Sequence, residues 1–124
     1  MTSEDKASLI LEAMDEKKAV APVRLDVRER TIMTEYLIIA SGNSNIHIRT
    51  IADAVIEKLR DNGAKKKRLE GYEHATWVLL DYGDVIVHVF APEERDFYRL
   101  EAYWSGAEKG SPPPMSPDES QGVS

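Results

Sequence analysis

The chain has 124 residues, no cysteine and a formal net charge of -6. That length suits one compact domain and is short for two. The missing cysteines exclude a disulfide framework and thiolate chemistry, and the acidic balance argues against bulk phosphate binding, so no direct nucleic-acid partner is expected. His47, His74 and His88 are too dispersed for a zinc motif such as H-E-x-x-H, and neither a metal nor a cofactor is expected. The start, MTSEDKASLI, carries acids and lacks the basic and apolar regions of a signal peptide. No run approaches the roughly 18 apolar residues of a membrane span, and a cytoplasmic chain without membrane contact is expected.

From Ser3 to about Lys17, Ala7, Ile10, Leu11 and Met14 recur at helical spacing and predict a first helix. Ser3 with Lys6 makes no capping box, so its start reads as soft, although Glu4 and Asp5 suit a helix N-terminus. Val20 to Val27 predicts a half-buried strand, with Pro22 marking an edge. Met33 to Ala40 is nearly continuously apolar after Glu35, as in a central strand covered on both faces. Ser41-Gly42 turns the chain, and Asn43 to Asn62 is the clearest helix: Ser44 caps it, Ile48, Ile51, Ala52, Val55 and Leu59 form its stripe, and Asn62-Gly63 stops it. A βαβ unit follows, with a Lys-rich connection (Ala64 to Arg68) and a short strand near Leu69-Glu70-Gly71.

Thr76 to Phe90, TWVLLDYGDVIVHVF, predicts a β-hairpin. With Tyr82-Gly83 as a two-residue loop, Asp81 pairs with Asp84, Leu80 with Val85, Leu79 with Ile86, Val78 with Val87 and Trp77 with His88. Alternation puts Val78, Leu80, Val85 and Val87 on an aliphatic face suited to a core. Trp77, Leu79, Asp81, Ile86 and His88 share the other face, whose mixed character suggests recognition. Glu93 to about Glu108 predicts a terminal helix with Phe97, Leu100 and Trp104 as its buried stripe and Tyr98 and Glu101 on its flank. The domain thus spans residues 1–108, in the order α-β-β-α-β-β-β-α. Residues 109–124, rich in Pro, Ser and Gly, are expected to be a disordered tail. Charge is uneven: Glu70 to Glu101 holds eight acids against two bases, whereas Asn45 to Leu69 holds seven bases against three acids. The acidic half would steer toward a basic partner, although on charge alone a solvated face serves as well.

Ser41-Gly42-Asn43-Ser44 lies between strand and helix, where α/β folds hold phosphate. One glycine makes neither a Walker loop nor G-x-G-x-x-G, and a plain capped turn is the better reading. Nucleotidyltransfer needs carboxylates alternating on a strand to hold divalent metals. That D-x-D pair is absent: Asp81 and Asp84 flank a turn, and Glu93-Glu94 are adjacent. His88 has no serine or cysteine in its sequence neighbourhood to make a triad. The expectation is a binding protein and not an enzyme.

The segments TEYLIIASGNSNIHIRTIADAV, EGYEHATWVLLDYGDVIVHVF and ERDFYRLEAYW resemble the ribosomal silencing factor family, also called RsfS or Iojap, over roughly Leu9 to Ala107. Glu35 and Leu37 stand where that family usually has an aspartate and an aromatic, and Ile46 replaces a more polar residue. The resemblance implies an α/β fold: one domain, a mixed sheet of about five strands with helices packed on it, nucleotidyltransferase-like in topology. It also implies binding to the large ribosomal subunit at its protein fourteen (uL14), blocking of small-subunit joining and slower translation under nutrient limitation. On these residues the acidic hairpin and terminal helix would dock on basic protein. Trp77 and Tyr98 would be aromatic anchors, Asp81, Asp84 and Glu101 would pair with Arg or Lys, and Leu79, Tyr82, His88 and Arg95 would complete the surface. Two other readings are a divergent nucleotidyltransferase-like enzyme with Ser41, Gly42 and Ser44 on phosphate, and a homodimer formed by the free chain through its mixed face.

Overall fold

The computed structural model describes residues 1–107 and 110–121. Helix α1, Ser3–Glu16, starts not softly but at a capping box, with Thr2 in place of Ser3 as the cap. The Thr2 hydroxyl accepts from the Asp5 N–H at 3.0 Å and the Asp5 carboxylate accepts from the Thr2 N–H at 3.1 Å, so the start is well capped. Ala7, Ile10, Ala13 and Met14 are its buried stripe, while Leu11 is only half-buried. Helix α2, Asn45–Asp61, is capped by Ser44 as expected and buries the five stripe residues read from the sequence. Lys58 of α2 ties the two helices together, reaching Glu12 at 3.0 Å and Glu16 at 2.8 Å.

Five strands, β1 (Val20–Asp26), β2 (Tyr36–Ser41), β3 (Arg68–Glu70), β4 (Trp77–Asp81) and β5 (Val85–Phe90), form one mixed sheet in the order β1-β2-β5-β4-β3. Only β2 and β5 run parallel to their neighbour; the other three pairs are antiparallel. β1 is an edge strand, and the irregularity between Val20 and Val23 falls where Pro22 cannot donate. All six residues of β2 are buried. α2 is the crossover that carries the chain from β2 to the opposite edge at β3, with β5 and β4 filling the gap.

The hairpin register differs from expectation by two residues. Asp81 pairs with Ile86, Leu80 with Val87, Leu79 with His88, Val78 with Val89 and Trp77 with Phe90. The loop is Gly83-Asp84, because the first loop position takes φ +85°, which glycine tolerates and Tyr82 would not. Tyr82 instead donates its N–H to the Val85 carbonyl at 2.9 Å, and the Asp81 carboxylate accepts from the Gly83 N–H at 2.7 Å. A shift of two leaves every side chain on its expected face, where a shift of one would have exchanged the faces. Val78, Leu80, Tyr82, Val85, Val87 and Val89 join Tyr36, Ile38 and Ala40 in the main core beneath α1 and α2.

The terminal helix is two helices. α3, Pro92–Tyr98, ends at Arg99, whose φ of 52° is left-handed, and α4, Leu100–Trp104, starts from it. The change of direction undoes the expected stripe: Leu100 is buried and Trp104 packs against the same cluster, but Phe97 is 77 % exposed. The segment expected to be a disordered tail also carries structure. α5, Pro117–Gln121, lies against β4, with Ser116 buried; residues 109 and 122–124 of that expectation, and residue 108 at the end of the expected terminal helix, fall outside the described residues. Together α3, α4 and α5 cover the sheet face opposite α1 and α2.

Candidate functional site

The covered face holds most of the residues marked out in the sequence, and it holds them as structure. Trp77 is 3 % exposed, sandwiched with its ring centroid 4.9 Å from Phe90 and 4.7 Å from Tyr98. Its indole N–H donates to His88 Nδ1 at 3.0 Å. His88 is buried at 1 % exposure, and burial alone pushes its pKa down to about 3, so the ring is neutral. Leu79 is buried beside it. Tyr82 is on the opposite face in the main core, where burial raises its hydroxyl to about 12. In the free chain Trp77, Leu79, Tyr82 and His88 therefore present little to a partner.

The charged candidates sit at the rim. Asp84 at the hairpin tip pairs with Lys6 of α1 at 2.8 Å. Asp81 faces Arg68, which also pairs with Glu70 at 2.8 Å. Arg95 spans the kink at Arg99: its Nε donates to Glu101, its Nη2 to the Ala21 carbonyl at 2.7 Å, and its Nη1 to the Val20 carbonyl and the Ser41 hydroxyl, both at 3.1 Å. It fastens α3 and α4 to the end of β2 and the start of β1, and orients Glu101 in doing so.

What remains open to solvent is the outward side of α3. Glu93, Asp96 and Phe97 are exposed there and Tyr98 is half-buried. Phe97 stands edge-on to Tyr98 at 5.0 Å, and Tyr98 in turn leans on Trp77. The buried aromatics thus carry an exposed one. Phe97 was missed as a surface residue because helical spacing alone cannot anticipate a left-handed arginine at position 99. The ordering of the C-terminal segment did leave a signal. Ser116-Pro117-Asp118-Glu119 places a capping serine before a proline and two acids, as helix starts do, and the Glu119 N–H donates to the Ser116 hydroxyl at 3.2 Å.

Three N–H groups at the turn after β2 are bonded within the chain. The Gly42 N–H donates to the Phe90 carbonyl at 3.0 Å, the Asn43 N–H to His47 Nδ1 at 2.9 Å and the His47 N–H to the Ser44 hydroxyl at 3.0 Å. A Cβ on Gly42 would lie 2.7 Å from Ile48 Cγ1, so the glycine serves close packing of α2 on the turn. No helix among the described residues is long and apolar enough to cross a membrane.

Known proteins share both this arrangement and its sequence. Residues 1–123 match the family model described as ribosomal silencing factor during starvation. A ribosomal silencing factor of Halalkalibacterium halodurans is 39% identical over 107 residues, covering 86% of this chain and 92% of the relative. The chloroplastic Iojap protein of maize is 35% identical over 85% of this chain, which spans 48% of that longer protein. A crystal structure from Chromobacterium violaceum superposes with a TM-score of 0.83 at 37% identity, covering 90% of this chain and 92% of the other. One from Bacillus halodurans gives 0.74 at 40% identity, covering 82% and 94%. Model, relatives and structures agree over nearly the whole length, and the chain belongs to the ribosomal silencing factor (RsfS) family.

Proposed function

We propose that this chain binds the large ribosomal subunit through its protein fourteen and, seated there, obstructs joining of the small subunit, lowering translation when nutrients are scarce. It acts where ribosomes assemble, in the cytoplasm. Family membership supports the ribosome as partner. The observation that carries the docking surface is Phe97: a large ring, 77 % exposed, on a helix whose outward side also shows Glu93 and Asp96. An aromatic within an acidic surround matches a basic protein surface, the ring supplying contact area and the acids steering and register. Tyr98 and Glu101 extend that surface, Glu101 by exchanging Arg95 for a cation of the partner; Asp81 and Asp84, at the hairpin tip beyond the far end of β5, would make a separate acidic contact. Trp77, Leu79, His88 and Arg95 act from beneath, by holding α3 and α4 in place. The same exposed ring gives the free chain a surface on which a second copy can pair, a dimer that protein fourteen would dissolve.

The nucleotidyltransferase reading gains no observation: the Gly42 and Asn43 N–H groups of the turn are engaged internally, and the Ser44 hydroxyl caps α2. The test is sedimentation with purified large subunits, wild type beside Phe97→Ala/Asp96→Lys. Wild type should pellet and the variant should lose about tenfold or more in affinity; a subunit-joining assay then reads obstruction directly. Wild type left in the supernatant at micromolar concentration and low salt would overturn the proposal.

A further inference from the structure

Beneath α4 and the C-terminal segment the covered face encloses a cavity of about 540 Å³, within the size range of small-molecule pockets. Leu37, Leu79 and Ile86 supply aliphatic walls. Four buried side-chain polar atoms of the described residues have no hydrogen-bond partner, and three of them, Thr34 Oγ1, His88 Nε2 and Trp104 Nε1, belong to residues lining this one cavity. Buried polar groups are rarely left so, because each loses its hydration without replacement. All three belong to residues that wall the same space.

The polarity of the site follows from its neighbours. An indole N–H can only donate, so His88 Nδ1, which faces the Trp77 indole, accepts, and the ring proton of the neutral imidazole sits on Nε2. Trp104 offers a second N–H and Thr34 a hydroxyl of either sense. The interior therefore asks for acceptors. It asks for no charge: Arg68 at the mouth is paired with Glu70 and Asp81, and the other charged residues lining it, Lys67 and Glu119, are of opposite sign.

We propose that this cavity binds a small, uncharged, largely apolar molecule that brings a carbonyl oxygen or ring nitrogen to His88 Nε2 and Trp104 Nε1. Met115 and Glu119 of the C-terminal segment line the same space, so occupancy and the docking of that segment are linked. The site is distinct from the outward side of α3, and its test stands whether or not the chain binds ribosomes.

The chain has two tryptophans, so an ¹⁵N spectrum of the full chain holds two indole N–H signals, one already bonded to His88 and one without an acceptor. Acetophenone, an apolar ring with one carbonyl, is titrated to about 10 mM, in the range of weak fragment affinities. The Trp104 signal should move downfield and saturate, with the Trp77 signal moving less. Ethylbenzene, which lacks the acceptor, and benzoate, which adds a charge, should each bind at least about fivefold more weakly, the worth of one hydrogen bond. Trp104→Phe keeps the ring and removes the donor, and should weaken acetophenone by a similar factor, followed at the Ile86 amide. An unchanged Trp77 indole signal shows that this variant is folded, and Thr34→Val serves in its place if it is not. The proposal fails if neither indole signal moves, as for a cavity that holds only water, or if ethylbenzene or benzoate binds as well as acetophenone.

Discussion

The buried neutral histidine makes stability depend on pH in a way that one substitution can isolate. His88 titrates near its ordinary 6.5 in the unfolded chain and near 3 when folded. Between those values the unfolded chain binds a proton that the folded chain refuses. Stability is thus full above about pH 6.5 and is lost as pH falls toward 3, at up to about 1.4 kcal/mol per pH unit. From pH 7 to pH 5 the loss from this single group comes to about 2 kcal/mol, a large share of the stability of a domain this size. The perturbation is His88→Gln, whose side-chain oxygen can still accept from the Trp77 indole but does not titrate. Urea unfolding at pH 7, 6 and 5 gives both slopes, and the difference between the two proteins cancels His47, His74 and the carboxylates, which are common to both. The wild type should lose about 2 kcal/mol more than His88→Gln across that range. Parallel pH dependences would refute the reasoning, because a histidine reachable by water and protons would not carry the penalty of burial.

Three further outcomes follow from particular contacts. A Cβ at Gly71 would lie 2.0 Å from the Trp77 carbonyl oxygen and 3.1 Å from Pro117, at φ +77°. Gly71→Ala should therefore cost more than about 2 kcal/mol by urea unfolding, strain and the displaced start of β4 together; an unchanged midpoint would contradict it. Phe97→Ala should leave stability within about 0.5 kcal/mol, since the ring is largely in solvent, while large-subunit binding drops. Ser116→Ala removes the cap of α5 and should cost about 1 kcal/mol locally, seen as faster hydrogen exchange at Asp118 and Glu119 with little change in global Tm.

Periodicity carried far in this chain. The stripe of α2, the fully buried β2 and the division of the hairpin into an aliphatic and a mixed face were all legible, because burial on a sheet or helix imposes a period on residue type. The hairpin register was not, since choosing between Tyr82-Gly83 and Gly83-Asp84 as the loop depends on which residue takes positive φ. The faces survived that error only because the slip was an even number of residues. The break at Arg99 left no trace in composition: a left-handed arginine is held by its surroundings, not by its own preference. The C-terminal segment was legible at Ser116–Glu119 but hidden by the prolines and serines that precede it. Composition averages over the few residues that dock, and docking needs only those few.

The burial of the mixed face bears on how the surface is made. Tryptophan and histidine on a mixed sheet face suggested contact with a partner, because aromatics and polar groups are enriched where proteins meet. Here the same residues meet the chain's own C-terminal helices. Trp77 fills the space beneath Tyr98, Tyr98 backs Phe97, and Arg95 fixes both helices to the sheet. A seven-residue helix such as α3 is too short to hold its shape alone. Its outward side becomes a rigid surface only through these supports, and rigidity lowers the entropic cost of binding. A change at Trp77 would therefore weaken ribosome binding through the loss of order in α3, raising hydrogen exchange there in the free chain, whereas a change at Phe97 would weaken binding with exchange unaltered. Measured side by side, the two variants separate a residue that touches the partner from one that positions the residue that does.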